Sequence, residues 1–295
     1  MKTNLVRILT MLTLTCLASG CGFVKIKSAH DLSRPTTAFA GSPKDPKTGL
    51  QPYAIYLTQL EDNREEKTDI FAEYDGFPFL KSGGKLSSTI PPTRVITDAI
   101  AEHLKRKGFT ISEGVVGSQM DPLAVRIDGK LWRFGYDWDF VGGFTAANVW
   151  VQIRVLDSNG NVMGKEMIKA SGVPAFSNKK KEPFKEQMTT GLRNKIDYVA
   201  LQSALLVLNS QSKLTANLIE QSPEKIEALN LNQASLKALS QAIQETSEDF
   251  ENLSMKMTVS EEAAKAEKAA QDAKIQGLMN MQNSLNGIQS TLPTK

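Results

Sequence analysis

Cysteine and histidine are nearly missing from this chain: two of each in 295 residues. That scarcity excludes zinc-finger ligand sets, disulfide scaffolds and most histidine-centred catalysis. An excess of one charge is missing too. The 35 Lys and Arg face 32 Asp and Glu, for a formal net charge of +3. A nucleic-acid binder would show a concentrated basic face, so no nucleic-acid partner is expected. There is no P-loop, dinucleotide fingerprint, Gly-x-Ser-x-Gly elbow or zincin motif. The expectation is a protein that is not an enzyme and needs neither cofactor nor metal. What is present is ordinary: 41% hydrophobic and 23% charged residues. Such a chain is neither wholly disordered nor a multi-span membrane protein, and its length allows one large domain or two modest ones.

The first twenty residues are not ordinary. Lys2 and Arg7 form a short positive head, Ile8 to Ala18 an apolar run broken only by Thr, and Ala18-Ser19-Gly20 lead into Cys21. This is the layout of a secretory signal, with an apolar run too short to span a bilayer. The small residues ending on Cys resemble the lipobox of bacterial lipoproteins, with Ala18 where Leu is more usual. That resemblance implies that residues 1–20 are removed and that Cys21 is acylated as the first mature residue. Gly22 rather than Asp after it implies sorting to the outer membrane, facing the periplasm. Several acyl chains, at about 0.8 kcal/mol per buried CH₂, make such attachment durable. Cys16 would leave with the signal, so the mature chain would hold no free thiol. Loss of Lys2 and Arg7 would lower the formal charge from +3 to +1.

Residues 21–52 are rich in Ser, Thr, Pro, Gly and Lys and lack an apolar period, which predicts a flexible tether. Its last 28 or so residues would have an r.m.s. span of roughly 30 Å and a contour near 90 Å. Residues 53–210 hold most of the aromatic side chains and predict a globular α+β domain. Tyr53 to Leu60 alternates as a strand, and a loop-rich stretch follows. Pro91-Pro92 opens a helix with Val95, Ile96, Ala99, Ile100 and Leu104 on one face and Gly108 as its stop. Phe109 to Ser112 is a further strand.

The most informative stretch runs from Leu123 to Val155. Trp132, Phe134, Tyr136, Trp138 and Phe140 alternate with Arg133, Gly135, Asp137 and Asp139. If Gly142-Gly143 is a two-residue turn, Tyr136 faces Val149, Phe134 faces Val151 and Trp132 faces Ile153. Arg133, Asp137, Asn148, Gln152 and Arg154 then share the opposite side, with Trp150 opposite Gly135. A strand from about Val162 to Ala170 follows a Ser-Asn-Gly-Asn turn, and a helix carries Met188, Leu192, Ile196, Val199, Ser203 and Leu206. The expected fold is a mixed or antiparallel sheet packed by two helices, an α/β sandwich.

Residues 211–295 predict a long helical tail. Leu229, Leu236, Ile243, Phe250 and Met257 recur every seven residues, and Leu278, Leu285 and Leu292 keep the phase. Companion positions are mixed, since Asn232, Thr246, Glu267 and Lys274 interrupt them. A coiled coil that joins copies of the chain is therefore one expectation, and helices that fold back are the other.

Little chemistry stands out. His103 sits at the edge of a helix's apolar face and reads as a packed histidine. Asp137 and Asp139 share a strand face and read as solvated, with a cation or paired-carboxylate site as the alternative. The run Asn178-Lys-Lys-Lys-Glu-Pro-Phe-Lys185 also reads as solvated, with contact to anionic headgroups or a partner as the alternative. Trp132, Tyr136 and Trp138 form the candidate ligand or partner face, with ordinary core as the alternative.

From Thr93 to Ala200 the chain resembles the YajG-like bacterial lipoproteins. The likeness rests on His103-Leu-Lys-Arg-Lys-Gly-Phe109, Leu123 to Leu131, Ala147 to Leu156 with its Asn-Gly turn, and the helix after Asn178. It implies an envelope lipoprotein with a small α/β sandwich, no established enzymatic activity and no catalytic residues to carry over. The expected role is an outer-membrane accessory or scaffold, held by its lipid, with an envelope protein partner and self-assembly through the tail. The alternative is an auxiliary subunit of a lipid or ABC-type transport system, with the aromatic face as an apolar groove.

Overall fold

A computed structural model describes residues 26–30, 32, 50, 52–74, 84–113, 121–139, 143–172, 184–221, 231–257, 277 and 280. In chain order the elements are β1 (Ile26–His30), β2 (Ile55–Leu57), β3 (Glu61–Asp62), β4 (Ile70–Tyr74), β5 (Gly84–Ser88) and α1 (Pro92–Arg106). They continue with β6 (Ile111–Glu113), β7 (Val125–Asp139), β8 (Gly143–Leu156), β9 (Val162–Gly172), α2 (Phe184–Gln221) and α3 (Gln233–Met257). The class is α+β. The main sheet runs β6-β2-β7-β8-β9, with β3 also pairing β7, and a smaller sheet runs β1-β5-β4. β2 is parallel to β6 and to β7, whereas β7, β8 and β9 form an antiparallel meander.

Helix α1 begins as its sequence dictates. Pro91 precedes the first turn and Pro92 occupies it, where the missing N–H costs nothing. Val95, Ile96, Ile100 and Leu104 are fully buried. Gly108, at φ +94°, ends the helix in the left-handed region that any other residue would enter at a cost. Thr97 ties this helix to the sheet: its hydroxyl donates to the Thr93 carbonyl and accepts from the Leu60 N–H, in the gap between β2 and β3.

The hairpin register differs from the expected one. Phe134 pairs with Val149 and Tyr136 with Ala147, while below them Leu131 pairs with Val151 and Gly129 with Ile153. Gly143 is the first residue of β8, opposite Asp139, so three residues rather than two join the strands. A second cause is Trp132, the extra residue of a bulge between Leu131 and Arg133. The core keeps its apolar pattern, with Leu131, Phe134, Val149, Val151 and Ile153 buried. Trp132 is the residue displaced from it. The Val162 strand and its turn are as expected. Both Asp157 carboxylate oxygens are used there, accepting from the Asn159 and Asn161 N–H groups and from the Asn161 amide.

Helix α2 is 38 residues long, or about 57 Å. It passes unbroken through residue 210, where the sequence suggested a domain boundary. It packs on β7, β8 and β9 and on α1 and α3. Buried side chains occur all round it: Met188, Leu192, Val199, Leu201 and Leu208 have no exposed surface to speak of. Buried hydroxyls are satisfied within the helix, since Ser203, Ser210 and Thr215 donate to the carbonyls of Val199, Leu206 and Gln211.

Helix α3 folds back on this body. Asn232 caps it by accepting the Ser235 N–H at 3.1 Å. Leu236, Leu239, Ile243, Phe250 and Leu253 are buried within the common core, and the Tyr198 and Phe250 ring centroids lie 5.1 Å apart. The seven-residue seam is thus used inside the chain from Leu236 to Met257. The two interruptions within the described residues are explained: Asn232 is the cap, and Thr246 is buried with its hydroxyl on the Ala242 carbonyl. Leu229, Leu278, Leu285 and Leu292 lie outside the described residues, as do Glu267 and Lys274.

The N-terminal segment also departs from expectation. Ile26–His30 is not tether but a strand paired with β5, and Leu32 and Leu50 are buried in the core. The apolar side chains of Ile26, Leu32 and Leu50 carry no repeating period, which is why the segment reads as a linker. The loop-rich stretch after Arg64 likewise contains β4 and β5. Arg64 closes β3 through two hydrogen bonds to the Asp62 carboxylate, at 2.9 and 2.7 Å, and this pairing holds the Asp62 carboxyl below the usual carboxylate range.

Two substitutions test this packing. Phe250→Ala should lower the unfolding free energy by about 3–5 kcal/mol in urea denaturation; a free tail would show no change. Gly135, at φ +132°, has the Phe71 carbonyl oxygen 2.5 Å from where a Cβ would stand. Gly135→Ala should therefore cost about 2–4 kcal/mol, which thermal unfolding would register.

Candidate functional site

The bulge separates the residues expected to form one aromatic wall. Phe134 points into the core and Tyr136 lies half-buried beneath α2, where its hydroxyl donates to the Met188 carbonyl at 2.7 Å. Burial pushes the Tyr136 phenol well above the ordinary tyrosine range. Trp132 stands on the opposite side of the sheet, 40% exposed. Trp132 and Tyr136 therefore do not line one groove. The side chain of Trp138 lies outside the described residues, as do those of Asp137 and Asp139, and all of Cys21 and residues 178–183.

The outward face of β7-β8-β9 gathers a different set. Pairing places Arg133, Trp150 and Lys169 in one row across the three strands. Arg133 and Lys169 each lie 4.8 Å from the centroid of the Trp150 ring, an arrangement that attracts both cations to the π face. The indole N–H donates to the Ser171 hydroxyl at 3.1 Å, and that hydroxyl donates to the Asn148 amide oxygen at 2.6 Å. The next row holds Lys130, Gln152 and Met167, with Trp132 extruded beside it. Below that lie Asp128, Arg154 and Lys165. Arg154 and Asp128 form a bidentate pair at 2.7 and 2.9 Å, and Lys130 reaches Glu61 of β3 at 3.1 Å. The sequence pattern had put Arg133, Trp150, Gln152 and Arg154 on this side. It did not reveal Lys165 and Lys169, because the register of β9 was not readable, nor Trp132.

A second polar constellation lies inside. His103 of α1 and Asp197 of α2 are both buried, with Nε2 and Oδ1 3.5 Å apart. His103 is packed, as its place on the helix predicts, and α2 brings a carboxylate to it across 94 positions of sequence. One turn on, Lys107 meets Asp249 and, at 3.8 Å, Glu245 of α3. These contacts join the three helices. Among the described residues, no group of three or more His, Cys, Asp and Glu side chains is placed to hold a metal ion. No helix among them is long and apolar enough to cross a membrane.

No family model matches the chain, and no curated protein matches it. Similarity is found among solved structures. Protein XCC0632 from Xanthomonas campestris, described with the family DUF330, is 10% identical over 65% of this chain and 99% of its own, with a TM-score of 0.42. The PelC dodecamer from Paraburkholderia phytofirmans is 13% identical over 53% and 93%, with a TM-score of 0.29. Lipoprotein GNA1162 from Neisseria meningitidis is 12% identical over 49% and 98%, with a TM-score of 0.27. The YajG-like family is not among these findings.

Tyr53 is buried, and its phenol, like that of Tyr136, is raised above its ordinary value by desolvation. Both stay protonated in the fold at a pH where the unfolded chain ionises. The folded state then binds more protons, so stability is complete below about pH 10 and falls as pH rises beyond it. Urea midpoints measured across that range should drop, and Tyr136→Phe should flatten the drop. At neutral pH the same variant should lose about 1 kcal/mol for the missing bond to Met188.

Proposed function

We propose that this chain is a lipid-anchored, periplasm-facing accessory or scaffold protein of the bacterial outer membrane, without enzymatic activity of its own. The observation that carries this reading is the position of Cys21. It follows Ala18-Ser19-Gly20 and the apolar run, and the first described strand begins five residues later, at Ile26. A mature chain that starts at Cys21 keeps every described element. The likeness of Thr93 to Ala200 to the YajG-like lipoproteins points the same way. An envelope protein partner belongs to this reading. Self-assembly through the tail would rest on Leu278, Leu285 and Leu292, since Leu236, Ile243 and Phe250 are buried within the chain and Met257 packs against the same core.

The transport-subunit alternative relied on an apolar groove lined by Trp132 and Tyr136, and those two residues occupy opposite faces of the sheet. The accessory reading is the better supported.

Fractionation and mass spectrometry of the protein from its native host test the proposal. The expected mature chain begins at an acylated Cys21 and stays with outer membranes after high-salt washing, whereas Cys21→Ser yields a soluble or unprocessed chain. An unmodified chain that keeps its first methionine would overturn it.

A further inference from the structure

We propose that the outward face of β7-β8-β9 is a docking surface for a membrane bearing anionic headgroup phosphates. The face carries six cations: Arg126, Lys130, Arg133, Arg154, Lys165 and Lys169. Among the described residues, Arg154 pairs with Asp128 and Lys130 with Glu61 of β3. The whole mature chain is close to neutral, so positive charge is concentrated here. Near an anionic leaflet each such cation contributes attraction that falls off within a Debye length.

The face is also not purely polar. Trp132 and Met167 are 40% and 39% exposed, and Trp150 lies between the cations. Tryptophan, with an apolar body and one N–H, settles at the level of lipid headgroups. A bulge is a local device for re-aiming a side chain, and this one turns a tryptophan outward on a strand where Val125, Ile127, Leu131 and Phe134 are buried. The long stems of Lys and Arg can lie along such a surface while their charges reach phosphate. Together they suit a shallow interfacial contact rather than a pocket.

The position of the body adds a third argument, which rests on the lipid anchor proposed above. Four residues lie between Cys21 and Ile26, and five Cα–Cα steps reach at most about 18 Å. β1 belongs to the small sheet, whose strand β4 abuts β7 at Gly135, the next outward position after Arg133. A body held that close to headgroups presents this face within reach of them. The 90 Å tether expected from sequence would not have imposed such proximity.

The test uses the unacylated chain from Lys25 to Lys295, which contains every element described, so its outcome is independent of lipidation at Cys21. It is mixed with vesicles of phosphatidylglycerol in phosphatidylcholine and, separately, of phosphatidylcholine alone. Co-sedimentation with the anionic vesicles only, with a blue shift of tryptophan fluorescence and release at about 0.5 M salt, is the expected result. Lys165→Glu with Lys169→Glu should weaken binding at least about tenfold. Trp132→Ser should remove most of the blue shift, and circular dichroism should show both variants folded. Absence of binding at low salt, equal binding to neutral vesicles, or unchanged binding by the charge-reversed variant would overturn the proposal. So would soluble polyglutamate binding as tightly as the vesicles, which would reassign the face to an acidic protein.

Discussion

The fold depends on a helix that is buried from both sides. α2 rests on the meander β7-β8-β9 through one face and receives α1 and α3 on the others. An amphipathic surface helix needs one apolar stripe, whereas this one needs apolar or self-satisfied residues all round. Its composition fits that demand. Leucine, valine and alanine alternate with serine and threonine whose hydroxyls bond back to the preceding turn. Such hydroxyls can be buried without an outside partner, and their small volume lets neighbouring elements approach. At Gly164 of β9 the approach is close, since a Cβ there would stand 2.9 Å from both the Leu206 side chain and the Ser210 hydroxyl oxygen.

Burying α2 makes α3 part of the domain. Leu236, Leu239, Ile243, Phe250 and Leu253 each contribute about 1.5–3 kcal/mol by leaving water, and their removal would uncover the apolar residues of α2 beneath them. Charges guide the same docking. Lys107, at the last turn of α1, is buried and meets two carboxylates of α3, while His103, one turn earlier, meets Asp197 of α2. Lys195 follows the same principle at the sheet, donating to the Ser171 carbonyl at 3.0 Å. Each of these polar contacts joins two elements, so another docking would leave its buried member without that partner.

How much of this was legible in sequence depends on whether the signal was local. α1 was readable because its start, apolar face and glycine stop are all written within 18 residues. The inward pattern of the hairpin was readable, since alternation survives a change of pairing. Its register was not, because two bulges and one added loop residue shift every partner. The seven-residue period of α3 was visible, but a period does not say whether the surface it marks meets another chain or the same one. β1, β4 and β5 were missed because their strands are five residues long, too short for an apolar pattern to stand out from loop composition. Of the candidate site, Trp132 was noted and placed on the wrong side. The basic row was half visible, because its other half lies on β9.

The resulting picture is a single body with a helical side closed by α3 and an open sheet side carrying charge and tryptophan. Its first strand lies next to the residue that would hold the lipid. Native-state hydrogen exchange tests the central element directly. The amides of α2 from about Arg193 to Thr215 should be the slowest to exchange, and those of α3 should be protected in the same cooperative unit. Exchange of α3 at the rate of an unfolded chain, with α2 still protected, would contradict the account.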